Sequence, residues 1–472
     1  MLDEYGVAVP GPVEERLRAR LIRDDRQEDL SFALWIPSQG ASRLTALLHT
    51  PIPPATGDRE VHGNASFQPR YFERACREAM ASGCGLVFLH SHSFPGWQGM
   101  SPDDIEAERR MSGVAQALTG LPLVGLTVAS DRTWSARMWT HRGGRTYLPS
   151  WCSAVRTVGV GLRADFADSL LPPPSLRPLF LRTVSVWGEE VHADLARLRI
   201  GVVGLGSVGA MIVETLGRMG MQRLTLIDFD IVEPHNLDRL VTACQADVGR
   251  LKVDVATDRI RQVGTADVID IRPVPYSVVE GPGYQAALDC DVLFSCVDRP
   301  RARHVLNHIA YSHLIPVVDG GIQVRYRTRT FAGVDWQVQT VGVGRTCLEC
   351  LGAYDPGDVS TEAAGKLEDP SYLNGLPEDH HFKRNENVFP FAANLASLEV
   401  LQFVALTTRA AGIEDFGVQR YRYMPGILEQ LPPRPCSPDC DRSDSIARGD
   451  RDFNLIGRDS GAEKTRMKQS LK

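Results

Sequence analysis

Nowhere in the 472 residues does a run of lysines and arginines build up: 52 basic side chains are scattered among 58 acidic ones, for a formal net charge of −6. A chain without a cationic stripe cannot neutralise successive backbone phosphates, which excludes nucleic acid as an expected partner. No apolar stretch reads as long enough to span a bilayer, and the first residues include Asp3 and Glu4 where a secretory signal would have an apolar run. No membrane partner is expected. No internal repeat is found, and no cysteine falls between residues 352 and 394.

What is present is more than one core's worth of chain, because 472 residues exceed what a single hydrophobic core usually supports. A break is expected where Pro172, Pro173 and Pro174 interrupt regular structure. The expected division is a domain over 1–165, a proline-rich linker over 166–180, a second domain over 181–440, and a charged, mobile tail over 441–472. In the first domain, Phe72, Ala75, Cys76, Ala79 and Met80 form an apolar stripe at helical spacing. That stripe reads as core. In the second, strands and helices alternate and a long apolar helix over 392–408 follows, the pattern of a largely parallel sheet. A polar stretch over 354–383 suits a crossover loop, and its His380 and His381 read as solvated.

The most informative segment is 199–239. A buried strand over 198–203 runs into Gly204, Gly206 and Gly209 and then into an apolar helix, so backbone N–H groups at a helix start face a phosphate. That alone says only "nucleotide". After a second strand over 224–227 come Asp228 and Asp230, then Asn236, Leu237 and Arg239. A dinucleotide-binding dehydrogenase needs only one acid there, for ribose hydroxyls. The added Asn236 and Arg239, with Lys252 on the next helix, would stabilise charge on a departing pyrophosphate. Asp298, closing the apolar strand over 291–296, could hold magnesium (Mg2+) opposite them. Together these residues fit the splitting of ATP between its α and β phosphates.

Over roughly residues 181–440 the ordered set resembles the ThiF/MoeB family, bacterial relatives of ubiquitin-activating enzymes. The resemblance implies a Rossmann-like adenylating domain in which the C-terminal carboxylate of a ubiquitin-like protein attacks ATP, giving an acyl-adenylate. By resemblance Asp228 binds ribose, Asn236, Arg239 and Lys252 bind phosphates, and Asp298 binds magnesium. Arg182 resembles a family arginine that reaches the ATP of the neighbouring subunit, implying a homodimer. Ser207 stands where many members have glycine. The cysteine-free stretch over 352–394 covers the place where thioester-forming members usually keep their nucleophile. The chain would then stop at the adenylate, hand it directly to another nucleophile, or use an unusual position such as Cys244.

Two close cysteine pairs, Cys347 with Cys350 and Cys436 with Cys440, can close a tetrahedral zinc (Zn2+) site, which would be structural. The second pair is one residue wider than the first. Cys76, Cys84, Cys152, Cys244, Cys290 and Cys296 read mostly as small apolar core residues. Free thiols and a thiolate site together imply a reducing cytoplasm.

A separate constellation lies near the N-terminus, where an apolar strand over 85–89 delivers His90, Ser91 and His92, followed by Ser101, Asp103 and Asp104. Alternate residues at a strand end project to one side, so His90 and His92 can share a metal. An acid at the start of a helix over 104–118 would complete three protein ligands and leave one position open. Asp104 keeps serine and acid in step, and Asp103 is the alternative. Ser-Pro-Asp-Asp also reads as an ordinary helix cap.

Over about residues 28–162 this resembles the JAB/MPN (JAMM) metalloprotease family, a mixed α/β fold that cleaves peptide or isopeptide bonds after ubiquitin-like tails. The resemblance implies a catalytic zinc on His90, His92 and Asp104, Ser101 at the oxyanion, and Glu28 as general base, though other acids lie nearby. The overall expectation is an α/β chain with a JAB/MPN-like domain followed by a ThiF-like domain, acting on one ubiquitin-like partner and possessing a conjugating-enzyme-like partner. Similar fusions occur in bacterial operons encoding ubiquitin-like proteins, some linked to defence against phage. Activation and processing of a sulfur-carrier protein is the alternative, and an inactive tail-binding scaffold the second alternative.

Overall fold

The computed structural model describes residues 4–62, 64–175, 177–327, 330–376, 387–408, 412, 415–451 and 455–470. The chain divides into two compact units: Met1–Pro172 with Ser312–Leu314 and Ile446–Asp452, and the remainder.

The first unit is built on a mixed sheet of nine strands. Its order is Leu162–Phe166, Ala154–Val158, Glu4–Pro10, Arg43–Ile52, Leu30–Gln39, Gly85–Ser91, Leu123–Val128, Trp134–His141 and Tyr147–Trp151. Glu4–Pro10 runs parallel to both its neighbours and Gly85–Ser91 parallel to Leu123–Val128, while the other pairings are antiparallel. Residues 162–166, at the edge of the expected linker, are therefore a sheet strand. The helix Pro69–Ser82 buries Tyr71, Ala75, Cys76 and Ala79, but Met80 is 49% exposed, so the stripe is rotated by one position from that read in the sequence.

Behind the strand that carries the histidines lies a buried ion pair. The Arg137 Nε donates to Glu108 Oε2 at 2.9 Å, Trp139 Nε1 donates to the same carboxylate at 2.6 Å, and Arg137 Nη1 donates to Thr127 Oγ1 at 2.6 Å. Both charged side chains are fully buried. Such a pair is held by mutual satisfaction, because either charge alone would keep its whole desolvation cost. Gly125 makes room for it: a Cβ there would stand 2.3 Å from Glu108 Oε2.

In the second unit the sheet order is Asp270–Val274, Arg223–Ile227, Arg199–Val203, Val292–Ser295, Val317–Arg327, Thr330–Val341, Val418–Arg422 and Ile427–Leu431. The first five strands are parallel and the last three antiparallel. The chain winds from Arg199–Val203 outward one way, then returns to Val292–Ser295 on its other side. That reversal opens a crevice at the carboxyl end of Arg199–Val203, where doubly wound sheets bind ligands.

Three further features depart from the expectations above. The helix Phe389–Thr408 is long and apolar enough to cross a membrane by length and composition, with 56% of that window buried. Its apolar character runs all round because it packs on the strands Val317–Arg327 and Thr330–Val341 and on the helix Ser207–Arg218. The stretch after Cys440 is not a free tail. Ala447 is buried, both carboxylate oxygens of Asp450 accept from Gln39 N at 3.2 and 2.9 Å, and Ser460–Ser470 is a helix with Ala462 buried. Cys244 is exposed and caps a short 3-10 turn, so it is not core. His380 and His381 lie outside the described residues.

Arg137→Met leaves Glu108 charged and unpaired, and is expected to destabilise the first unit by about 3–5 kcal/mol, whereas adding Glu108→Leu restores much of that loss. Denaturant titration followed by the fluorescence of Trp35, Trp97, Trp134, Trp139 and Trp151 reads the difference; a single-variant loss near zero would contradict it.

Candidate nucleotide and metal sites

At the crevice of the second unit, Gly204 has φ +89°, and a Cβ on it would stand 2.4 Å from the carbonyl oxygen of Cys296. A Cβ on Gly209 would stand 1.9 Å from the carbonyl oxygen of Gly204. Only glycine fits either place. Gly206 caps the helix Ser207–Arg218 without a side-chain bond, which leaves the helix's first N–H groups for a ligand.

The loop is tied to the next strand by Asp228, whose carboxylate accepts from Leu205 N at 2.6 Å and Asp230 N at 2.7 Å. Burial pushes this carboxyl above the usual range, and Lys252 opposes that rise. Lys252 Nζ donates to Asp230 Oδ2 at 2.8 Å. Burial pulls the Lys252 ammonium down, but Asp228 and Asp230, with a further contribution from Asp298, carry it above its ordinary value. Asp298 is exposed just beyond the strand Val292–Ser295.

Asn236 and Arg239 follow on a short turn. The Asn236 Oδ1 accepts from Glu233 N at 3.0 Å, and Arg239 Nη1 donates to His235 O and to Asp238 Oδ1, both at 2.7 Å. Arg182 is exposed on the helix Leu181–Trp187. Asn387 was not singled out from the sequence: its Nδ2 donates to Ser207 Oγ at 2.8 Å, at the start of the glycine-loop helix. No local pattern marks such a pairing across 180 positions.

The four cysteines of the two close pairs come together, with all ligand atoms within 4.8 Å of one another. Cys347 Sγ and Cys440 Sγ are 3.8 Å apart, against about 3.8 Å for the edge of a tetrahedron with zinc–sulfur bonds of ~2.3 Å. Backbone N–H groups of Cys347, Cys350 and Ser437 point at Cys436, Cys347 and Cys350 sulfurs at 3.2, 3.4 and 3.4 Å. The extra residue of the second pair is taken up by a turn in which Cys440 N donates to Ser437 O at 2.9 Å. The donor set and its spacing fit zinc.

In the first unit the strand Gly85–Ser91 carries His90, with His92 just beyond it. The two Nε2 atoms are 3.1 Å apart, and Asp104 places Oδ1 at 3.4 Å from His90 Nε2 and Oδ2 at 3.4 Å from His92 Nε2. A tetrahedral ion with bonds of ~2.05 Å has edges of about 3.3 Å, so this donor set also fits zinc. Asp104, not the exposed Asp103, converges on the histidines because it occupies the third position of a capping box: Ser101 Oγ accepts from Asp104 N at 3.1 Å, and Asp104 Oδ2 accepts from Ser101 N at 2.8 Å.

Burial, reinforced by Arg137, holds the His90 imidazole neutral, with its pKa down to about 3. A hydrogen bond to Asp104 raises His92. Burial works against the Asp104 carboxylate, but His92 and His90 outweigh it and hold its pKa well below the ordinary range. Thr127 Oγ1 at 3.2 Å from His90 Nε2 and Gln98 Oε1 at 3.3 Å from His92 Nδ1 complete the surroundings, and neither was foreseen from the sequence. Glu28 is half-buried; burial raises its carboxyl, which feels both His92 and Asp104. Its neighbour Asp29 is fully buried and accepts from Arg59 Nε at 2.5 Å.

A doubly wound sheet with a glycine loop, an acid at the end of the adjoining strand and a lysine on the following helix has the architecture of a nucleotide-binding α/β protein. Residues 180–435 match the ThiF family, and the chain belongs to it. It is 32% identical over 174 residues to the SAMP-activating enzyme E1 of Haloferax volcanii, covering 36% of this chain and 60% of that protein. It is 29% identical over 176 residues to the molybdopterin-synthase adenylyltransferase of Escherichia coli, covering 37% of this chain and 66% of that protein. The chain thus spans less than two thirds of the length of these relatives. Escherichia coli MccB, with a TM-score of 0.44, 16% identity, and coverage of 60% of this chain and 75% of that one, is too distant a likeness to bear on function.

Cys350→Ser is expected to remove one equivalent of zinc from the purified chain, measured by inductively coupled plasma mass spectrometry; undiminished zinc would place the metal elsewhere.

Proposed function

We propose that the second unit adenylates the C-terminal carboxylate of a ubiquitin-like protein and that the first unit hydrolyses peptide or isopeptide bonds after the same kind of tail. The observation that carries the first part is the glycine loop, Asp228 and Lys252 assembled at the switch point of the sheet. There the helix N–H groups receive phosphates, Asp228 accepts ribose hydroxyls, and Lys252, Asn236 and Arg239 bind the phosphate chain. The tail carboxylate oxygen bonds to the α phosphorus and the bond to the β-phosphate oxygen breaks, so pyrophosphate leaves with its electron pair. Lys252 and Arg239 stabilise that departing charge. Magnesium, held by Asp298, would neutralise phosphate charge. Arg182 would serve the nucleotide of a second copy in a homodimer.

In the first unit, zinc on His90, His92 and Asp104 would lower the pKa of water and polarise the scissile carbonyl. Glu28, with its carboxyl raised by burial, takes the proton from the attacking water and returns it to the leaving amine. Ser101 Oγ accepts from Asp104 N, so its own hydrogen remains to donate to the developing oxyanion. A JAB/MPN-type protease is the family reading of this set.

A second reading has the adenylate passed to sulfur, making the partner a sulfur-carrier protein. Relatives of both kinds support it equally, a SAMP-activating enzyme E1 and a molybdopterin-synthase adenylyltransferase.

ATP–pyrophosphate exchange is expected with a ubiquitin-like or sulfur-carrier protein ending in glycine and not with a tail-truncated one, and Asp298→Ala should lower it by roughly a hundredfold or more. Exchange independent of the partner's tail would refute activation, and full turnover by Asp298→Ala would refute the magnesium assignment. Separately, His92→Ala is expected to abolish cleavage of a tail-extended partner while exchange continues; cleavage that survives would place the hydrolytic centre elsewhere.

A further inference from the structure

The segment 455–470 packs along the carboxyl edge of the parallel sheet, beside the residues that surround the nucleotide crevice. Gly457 N donates to Val279 O at 2.9 Å. Arg466 Nη1 donates to Glu280 Oε2 at 3.0 Å, and the same guanidinium lies 5.1 Å from the centroid of the Tyr276 ring. Arg301 Nη1 donates to Arg458 O at 2.7 Å. A Cβ on Gly461 would stand 3.7 Å from the Phe229 ring, the residue between Asp228 and Asp230. The segment is an ordered element: Asp459 Oδ1 accepts from Gly461 N at 3.0 Å at the start of the helix Ser460–Ser470, and Ala462 is fully buried.

These contacts fall on one end of the crevice. With phosphates at Gly206 and ribose at Asp228, a bound nucleotide runs from the loop toward the neighbouring strand Asp270–Val274, whose carboxyl end continues into residues 275–280. On the nucleotide reading the base would face 275–280 and Phe229, the surfaces that 455–470 contacts. The loop sets its own shape, with Ser277 N donating to Glu280 Oε2 at 3.0 Å and Val279 N to Ser277 Oγ at 3.3 Å, and Gly457 and Arg466 add an outer brace on its last two residues.

We propose that residues 455–470 form the outer wall of the adenosine end of the nucleotide site, with Gly457 and Arg466 as positioning residues for adenine nucleotide binding. This rests on the nucleotide reading of the second unit. The wall acts on the base and ribose and leaves the phosphate end untouched, so its removal should separate the two.

The test titrates AMP into the intact chain, a chain ending at residue 454, Arg466→Ala and Arg466→Lys by calorimetry, and measures the pyrophosphate concentration for half-maximal exchange. Truncation is expected to weaken AMP binding by roughly tenfold and Arg466→Ala by several-fold, with Arg466→Lys between it and the intact chain and pyrophosphate dependence unchanged. Equal AMP affinity in a folded truncated chain would overturn the proposal, as would parallel losses for AMP and pyrophosphate, or tighter AMP binding, which would make the segment an obstruction. If the truncated chain does not fold, the Arg466 pair decides. An intact chain that binds AMP without exchange refutes adenylation but leaves the AMP comparison decisive, whereas one that binds no AMP refutes the nucleotide site and the wall together.

Discussion

The second unit depends on a single close approach, that of the glycine loop to its own helix and to the end of the strand beside it. Gly209 must bring its backbone against the carbonyl oxygen of Gly204, and Gly204 must adopt a positive φ against the carbonyl of Cys296. Neither contact tolerates a side chain. Once the loop is that tight, its N–H groups are exposed to a ligand, and Leu205 N is left to be satisfied by Asp228. The acid that would read ribose is therefore also the clamp that holds the loop. Asp228 in turn orders Asp230 through a backbone N–H, and Asp230 accepts from both the backbone N–H and the ammonium of Lys252. Loop, acids and lysine form one connected object.

The first unit solves a similar problem with a cap. A carboxylate at a helix's third position is held by the N-cap backbone, and that geometry turns Asp104 toward two histidines delivered by a buried strand. Behind them, Thr127 touches both His90 and the guanidinium of Arg137, itself locked to Glu108. Burial, reinforced by that fixed cation, keeps a proton off His90, and a neutral imidazole is the form that binds metal. Ser101, a helix cap by sequence, is at once part of the fold and adjacent to the chemistry.

What was legible in the sequence was what local geometry demands. Glycines at 204 and 209 are dictated by close backbone approaches within a loop a few residues long, and two histidines spaced by one residue must share a face of a strand. The choice between Asp103 and Asp104 stayed open because both fit the spacing, and only the capping box separates them. The fate of residues 441–472 was illegible for a different reason. Their anchors are single long-range contacts, such as Asp450 to Gln39 and Arg466 to Glu280, which leave no periodicity in a charged segment. The pairing of Asn387 with Ser207 is of the same kind. The helix Phe389–Thr408 was misjudged in the opposite direction: an apolar run covered on several sides by protein meets the same length and composition test as one covered by lipid.

The two proposed reactions make opposite demands on water. An acyl-adenylate is a mixed anhydride that water destroys, so its site must be walled on every side except the path of the tail. The ordered segment 455–470 and the helix Pro356–Ala363, whose Glu362 Oε2 accepts from Arg301 N at 2.8 Å, supply walls at the carboxyl edge of the parallel sheet. A hydrolase must admit water to its metal, and the donor set of His90, His92 and Asp104 leaves a tetrahedral ion one open position. One pocket could not be dry for the first reaction and wet for the second. On the proposed reading both units act on a flexible C-terminal tail, so a single partner would be presented to each in turn, and the solvent each unit admits would decide which bond is made or broken.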